Sequence, residues 1–259
     1  MLFVDTGFVF ALRQESVGIL DRLQRSKTTH GNGWTFHTGT IENRTMAVVL
    51  SGAGQKNAEE AANVLLDVFA PKIICSAGYA GGLSSRLLPS TICVPEQVMR
   101  ESDGQVLDLS KPIPQKAASQ KTPSIPNKLT LLTVNEVAEL PVQKRRLHEQ
   151  TGAELIDMET FAVAEVCRKR EIPFLSIRVI LDAVDDKIPK DIAKILDHLD
   201  KGKSRLSGAI FGSILARPSV LLDFVSLKRR AFTATERLAK FAVAELSRRE
   251  KQALLGYEE

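Results

Sequence analysis

The sequence predicts an α/β sandwich built on a central, mixed and largely buried sheet. Three observations carry that expectation. Strand-like and helix-like segments alternate over the first two hundred residues, the pattern of layered α/β folds. The run IPFLSIRVIL (172–181) is almost wholly apolar, as a strand covered on both faces must be. A hairpin-like pair, Trp34–Thr40 and Thr45–Leu50, stands beside strands separated by helices, so antiparallel and parallel pairing are both expected.

Taken in order, VFAL (9–12) reads as a short buried strand delivering the chain to the helix QESVGILDRLQ. The hairpin follows, with Glu42-Asn43-Arg44 at its turn. After SGAG (51–54), NAEEAANVLLDVFA has helical spacing and stops at Pro71. KIICSAG (72–78) is a strand opening into the glycine-rich GYAGGL, and STICVPEQV (90–98) is another strand. Residues 108–127 hold four prolines among Ser, Gln and Lys and read as a loop. LTLLTV (129–134) is a strand, PVQKRRLHEQTG a helix, and AELID a strand leading into the helix METFAVAEVC. From Pro189 onward the pattern is helical, broken at Gly202, Gly208, Gly212 and Pro218. The expected division is an α/β domain over 1–200 and a basic helical extension over 201–259.

The 259 residues are 44% hydrophobic and 25% charged, a balance that buries an ordinary globular core. Residues 201–259 carry 12 Lys+Arg against 6 Asp+Glu, whereas residues 1–200 carry 23 against 25. The basic excess therefore sits in the tail, without the aromatic interleaving of a nucleic-acid surface, and no nucleic-acid partner is expected. Cys75, Cys93 and Cys167 lack CxxC spacing and read as reduced thiols. MLFVDTGFVFAL has Asp5 inside its apolar run and no basic start, which reads as a cytoplasmic protein rather than an exported one. No GxGxxG, Walker loop or HExxH occurs, so no cofactor and no metal are expected.

Ligands of open α/β sheets gather beyond the carboxyl ends of strands. The polar residues at those ends are few: Glu15, the Ser51-Gly52-Ala53-Gly54 turn, Gly78 and Tyr79, Asn135 and Glu136, Met158-Glu159, and Asp182. Glu159 opens a helix, where the macrodipole favours an ionised acid. It is either a simple helix-start carboxylate or a fixed acceptor for a sugar diol. Met158 beside it is either core filling or a soft wall for a sugar face. Asp182 ends an apolar run; it either caps or pairs Arg178, or holds a proton to donate. Glycines 52, 54, 78, 81 and 82 permit close approach of backbone to a ligand.

FALRQES (10–16), VVLSGAGQKNA (48–58), AGYAGGL (77–83), IDMETFAVAEVC (156–167) and IPFLSIRVILDAVDD (172–186) together resemble the nucleoside phosphorylase and nucleosidase superfamily. That superfamily includes purine and uridine phosphorylases and methylthioadenosine/S-adenosylhomocysteine nucleosidases. The resemblance implies a three-layer α/β/α fold on a twisted mixed sheet, and cleavage of an N-glycosidic bond. It assigns Glu159 to the ribose hydroxyls, Met158 to the ribose face, Asp157 to a structural role, and Asp182 to protonating the purine at N7. Asn135 and Val137 fall in the loop that edges the base, and Gly52, Gly54, Gly78 and Tyr79 around the water or anion. A nucleoside substrate and a homo-oligomer are implied, with phosphate as co-substrate if the enzyme is a phosphorylase.

Departures from the family pattern point to hydrolysis. The Gly-Asp-Pro-x-Arg segment of purine phosphorylases is replaced by ALRQES, and the arginine before their glycine loop aligns with Ser76. Glu15 instead matches the glutamate that activates water in nucleosidases, where a carboxylate repels phosphate. Arg13, a turn away, is the residue that favours an anion. Tyr79 replaces a serine. Phosphorolysis and a non-catalytic nucleoside-binding homologue are the alternatives.

The segment 181–232 and TVNEVAELPVQKRRLHEQTGAELIDME resemble the hopanoid-associated phosphorylase branch, which implies an adenosylhopane-type lipid nucleoside. LSGAIFGSILA (206–216) and VLLDFVSLKRR (220–230) then either cover the core or, through residues 203–230, touch an anionic membrane surface.

Overall fold

The computed structural model describes residues 2–110, 128–188 and 218–255, and their order is strand-rich from the start. Strand β1 (Leu2–Phe10) leads to helix α1 (Arg13–Leu20), then β2 (Gln24–Gly31), β3 (Trp34–Ile41) and β4 (Arg44–Leu50). Helix α2 (Gln55–Val68) returns the chain to β5 (Phe69–Gly82), followed by the short β6 (Ile92–Cys93), β7 (Gln97–Arg100) and β8 (Val106–Asp108). Then come β9 (Thr130–Thr133), α3 (Pro141–Thr151), β10 (Leu155–Asp157), α4 (Thr160–Lys169), β11 (Phe174–Asp182) and α5 (Pro218–Leu255).

The eleven strands form one mixed sheet in the order β2-β3-β4-β1-β5-β10-β9-β7-β8, with β11 pairing β5 and β6. β4, β1, β5 and β11 run parallel, so their carboxyl ends lie along one edge of the sheet. β10 crosses against the end of β5, where Ile156 faces Gly81 in antiparallel register.

Helices cover both faces. α2 and α4 bury Ala58, Ala62, Leu65, Phe161 and Val163 against Val9, Val49 and Ile74. On the opposite face, Ile19 of α1 and Leu238, Ala242 and Leu246 of α5 pack on Phe8, Cys75, Ile177 and Val179. This is the expected three-layer α/β/α arrangement, and α5 shares the core of its outer layer. β11 is buried along nearly its whole length, as its apolar run requires.

Three local expectations are corrected. β2 was not visible as a strand, because its residues are almost all exposed and polar along a sheet edge. The strand expected over 72–78 does not stop there: β5 continues through the glycine run to Gly82, where both β10 and β11 pair with it. STICVPEQV divides into β6 and β7, which pair with different strands. Most of the Pro-rich 108–127 loop and residues 189–217, with the predicted breaks at 202, 208 and 212, lie outside the described residues. From Pro218 the chain is one continuous helix. No helix among the described residues is long and apolar enough to cross a membrane.

Candidate active site

A cavity of about 210 Å³ opens where the carboxyl ends of β1, β5 and β11 meet the start of α4. Glu15, Glu159 and Asp182 all line it, together with Tyr79, Lys144, Asp157 and Met158. The remaining wall is apolar, with Leu12, Val134, Val137, Ala138, Leu181 and Ile188. A second space of about 10 Å³ adjoins it, bounded by Glu15, Glu159, Ser51, Ser76, Gly78, Tyr79 and Arg178.

Glu15 sits in the first turn of α1 and is buried. Its Oε2 accepts the Leu12 N–H at 2.8 Å, which closes the start of its own helix. Its Oε1 accepts the Tyr79 N–H at 2.8 Å. Burial pushes its pKa up to about 7, against the lowering effect of these backbone donors and of Arg178.

Glu159 is the residue before the first turn of α4. Its Oε1 accepts the Gly54 N–H at 2.7 Å and Oε2 the Met158 N–H at 3.3 Å. Gly54 stands at φ 97°, a conformation that turns its N–H toward the acid and that glycine adopts readily. Burial first, then the charge of Asp157, raises the Glu159 pKa to about 8.

Asp157 accepts from Thr133 Oγ1 at 2.8 Å, from the Thr160 N–H at 3.0 Å and from the Thr160 hydroxyl. It also takes Arg178 Nε at 3.0 Å and Nη2 at 2.9 Å. Arg178 donates further to Ser76 O at 3.0 Å and Ser76 Oγ at 2.8 Å. This buried pair ties β10, α4, β11 and β5 together beneath the cavity, which explains why a second acid precedes Met158.

Asp182 is not paired with Arg178, as one local reading of the sequence had it. Its Oδ2 accepts the ammonium of Lys144, a residue with no exposed surface. Lys144 was missed because QKRR reads as a solvated basic face. Its signal was positional: Lys144 falls on the same helical stripe as Leu147, which packs against the core.

Other expectations divide. Val137 lines the cavity, whereas Asn135 is exposed and accepts Gln55 Nε2 at 2.8 Å. Gly78 borders the small space, but Gly52 borders neither space; only its neighbours Ser51 and Ala53 do. The Tyr79 phenol turns away toward α5, bonding Thr235 Oγ1 at 2.7 Å and Ala231 O at 3.3 Å. Arg13 is exposed, and its charge acts on His37 of β3. No cluster of possible metal ligands occurs among the described residues.

Three acids from separate strand ends thus meet around one largely apolar cavity on this sheet, an arrangement suited to glycosidic-bond cleavage. The model of the phosphorylase superfamily matches residues 6–214, and the chain belongs to that family. A 5′-methylthioadenosine/S-adenosylhomocysteine nucleosidase of Pseudoalteromonas translucida is 23% identical over 233 residues, covering 82% of this chain and 99% of that one. The protein of that name from Halalkalibacterium halodurans is 28% identical over 200 residues, covering 69% and 85%. The solved structure of the nucleosidase from S. pneumoniae, bound to a transition-state inhibitor, superposes with a TM-score of 0.67 at 16% identity, covering 93% and 98%.

Proposed function

We propose that the enzyme hydrolyses the N-glycosidic bond of a purine nucleoside, with adenine as the leaving base. The observation that carries this reading is the meeting of Glu15, Glu159 and Asp182 at one cavity. Glu159 accepts the ribose diol, and Met158 packs on the sugar. Asp182 delivers a proton to N7, so the base departs neutral, while the ribose develops oxocarbenium character near two carboxylates. Val137 edges the base.

Water as the nucleophile is favoured by the small space between Glu15 and Glu159. At about 10 Å³ it sits at the lower limit for holding a single water, and leaves no room for phosphate. The one arginine on its wall already serves Asp157 and Ser76, and Arg13 is exposed on the outside. Glu15 removes the proton from that water as it attacks C1′. The apolar wall of Leu12, Val137 and Ile188 suits an apolar 5′ substituent, either methylthio or an adenosylhopane-type lipid. Assembly as a homo-oligomer and contact of residues 203–230 with a membrane surface complete the reading; residues 203–217 lie outside those described.

The test is a nucleoside panel: adenosine, methylthioadenosine, S-adenosylhomocysteine, inosine and an adenosyl lipid, each with and without phosphate. Free adenine with free sugar, independent of phosphate, is expected. Sugar 1-phosphate appearing only with phosphate overturns hydrolysis, and no base release from any member overturns the whole reading.

A further inference from the structure

Lys144 on α3 is the buried cation of the cavity wall, its side chain 1% exposed. An ammonium has three hydrogens to donate. Here Nζ donates to Asp182 Oδ2, to Ala183 O at 2.8 Å and to Asp186 O at 2.9 Å. The turn it grips is closed on itself, since the Ala183 N–H donates to Asp186 Oδ2 at 3.0 Å. The neighbouring Arg145 pairs outward with Asp185 on the surface. Gly81 also lies against the carboxyl, where a Cβ would stand 3.2 Å from Oδ2.

The terminal torsion of an aspartate is broad, so a carboxyl group alone does not hold a fixed plane. One oxygen bonded to an ammonium that is itself fixed by two carbonyls removes that freedom. Burying a lone lysine costs several kcal/mol, so the ammonium and the carboxyl also retain each other at this depth.

We propose that Lys144 is a positioning residue for the acid step: anchored on the carbonyls of the 183–186 turn, it sets the Asp182 carboxyl against the base. The proposal rests on Asp182 being the acid of the proposed function. Lys144 then acts on the rate only through Asp182.

Two substrates and a double-mutant cycle test it. Methylthioadenosine needs its base protonated; 4-nitrophenyl riboside releases a stable anion and does not. Lys144→Met is expected to lower kcat on methylthioadenosine about 10²-fold with KM changed less than about threefold, and to spare the nitrophenyl riboside. In the Asp182→Asn background, Lys144→Met is expected to cost nothing further, because the partner it positions is gone. The double variant strands no buried charge and keeps the cycle measurable; Lys144→Gln replaces Lys144→Met where the single variant fails to fold. Equal losses on both substrates, or a full additional loss in the Asp182→Asn background, overturn the proposal. If Asp182→Asn itself cleaves methylthioadenosine at the wild-type rate, the acid assignment fails; if it is slow while Lys144→Met is wild-type, the positioning role alone fails.

Discussion

Gly78 leaves the space that Glu15 fills: a Cβ built on it would lie 2.6 Å from Glu15 Oε1 and 3.0 Å from Cδ. The far end of a side chain usually swings aside. This one is pinned, because Oε1 accepts from Tyr79 and Oε2 from Leu12. Gly78→Ala is therefore expected to displace the carboxylate while leaving the sheet intact. Turnover of the best nucleoside is expected to fall about 10²-fold or more, matching Glu15→Gln, with an unchanged circular dichroism spectrum. An active Gly78→Ala enzyme removes Glu15 from the mechanism.

Glu15 makes activity and stability run in opposite directions with pH. As the base it must be ionised, and so must Glu159 as acceptor of the sugar diol, so kcat/KM is expected to rise across their pKa values of about 7 and about 8. The folded pKa lies above the ordinary 4.5, so between these values the folded state binds the extra proton. That stability is fully present below about 4.5 and is lost as pH climbs through 7, by something of order 3 kcal/mol. Glu159, raised by burial to about 8, adds a loss of the same sign. Thermal unfolding at pH 5 and pH 8 checks this: the fall expected for the wild type is smaller in Glu15→Gln. A wild type that gains stability on going to pH 8 contradicts the burial of both acids.

The C-terminal helix is expected to matter for catalysis without touching the cavity. Thr235 of α5 donates to Gln14 O at 3.0 Å and bonds the Tyr79 phenol at 2.7 Å, gripping the neighbours of Glu15 and Gly78. The helix comes this close because Gly18 lacks a side chain; a Cβ there would meet Ala239 Cβ at 2.7 Å and Thr235 O at 3.0 Å. Gly18→Ala pushes α5 off, and overpacking of this kind costs about 1–3 kcal/mol. Its melting temperature and its kcat are expected to fall together. Thr235→Val, which keeps the shape but removes the hydroxyl, is expected to reduce kcat with a smaller change in melting temperature. A Thr235→Val enzyme with unaltered kcat limits α5 to a structural role.

The sequence made the three acids legible because parallel strands end at one edge, so polar residues there converge whatever the loops do. β11 announced itself through burial on both faces. β2 did not, since an exposed edge strand needs no apolar alternation; only Asn32-Gly33, at φ 53° and 81°, marked its hairpin. Asn135 was misplaced because a strand end fixes the neighbourhood of a side chain but not the side on which it leaves. The alternative that paired Asp182 with Arg178 failed for a related reason. Regular alternation would leave residues four apart on one face of β11, but the register shifts between Ile180 and Asp182, so Arg178 meets Asp157 while Asp182 meets a lysine from a helix nearly forty residues earlier.

The Asp157–Arg178 pair offers a test of sign rather than size. Asp157 raises the Glu159 pKa and Arg178 lowers it. Asp157→Asn therefore moves Glu159 down, and Arg178→Met moves it up, along with Glu15, which Arg178 also holds down. Both variants leave an uncompensated charge or unpaired acid in the core, where breaking one side of a buried pair costs about 3–5 kcal/mol. Both are expected to melt about 10 °C below the wild type. Their acid limbs of kcat/KM are expected to part company, shifting to lower pH in Asp157→Asn and to higher pH in Arg178→Met. General damage to the fold lowers both rates without separating the two limbs. Limbs that shift in the same direction therefore place the rate-controlling ionisation on a group other than Glu15 or Glu159.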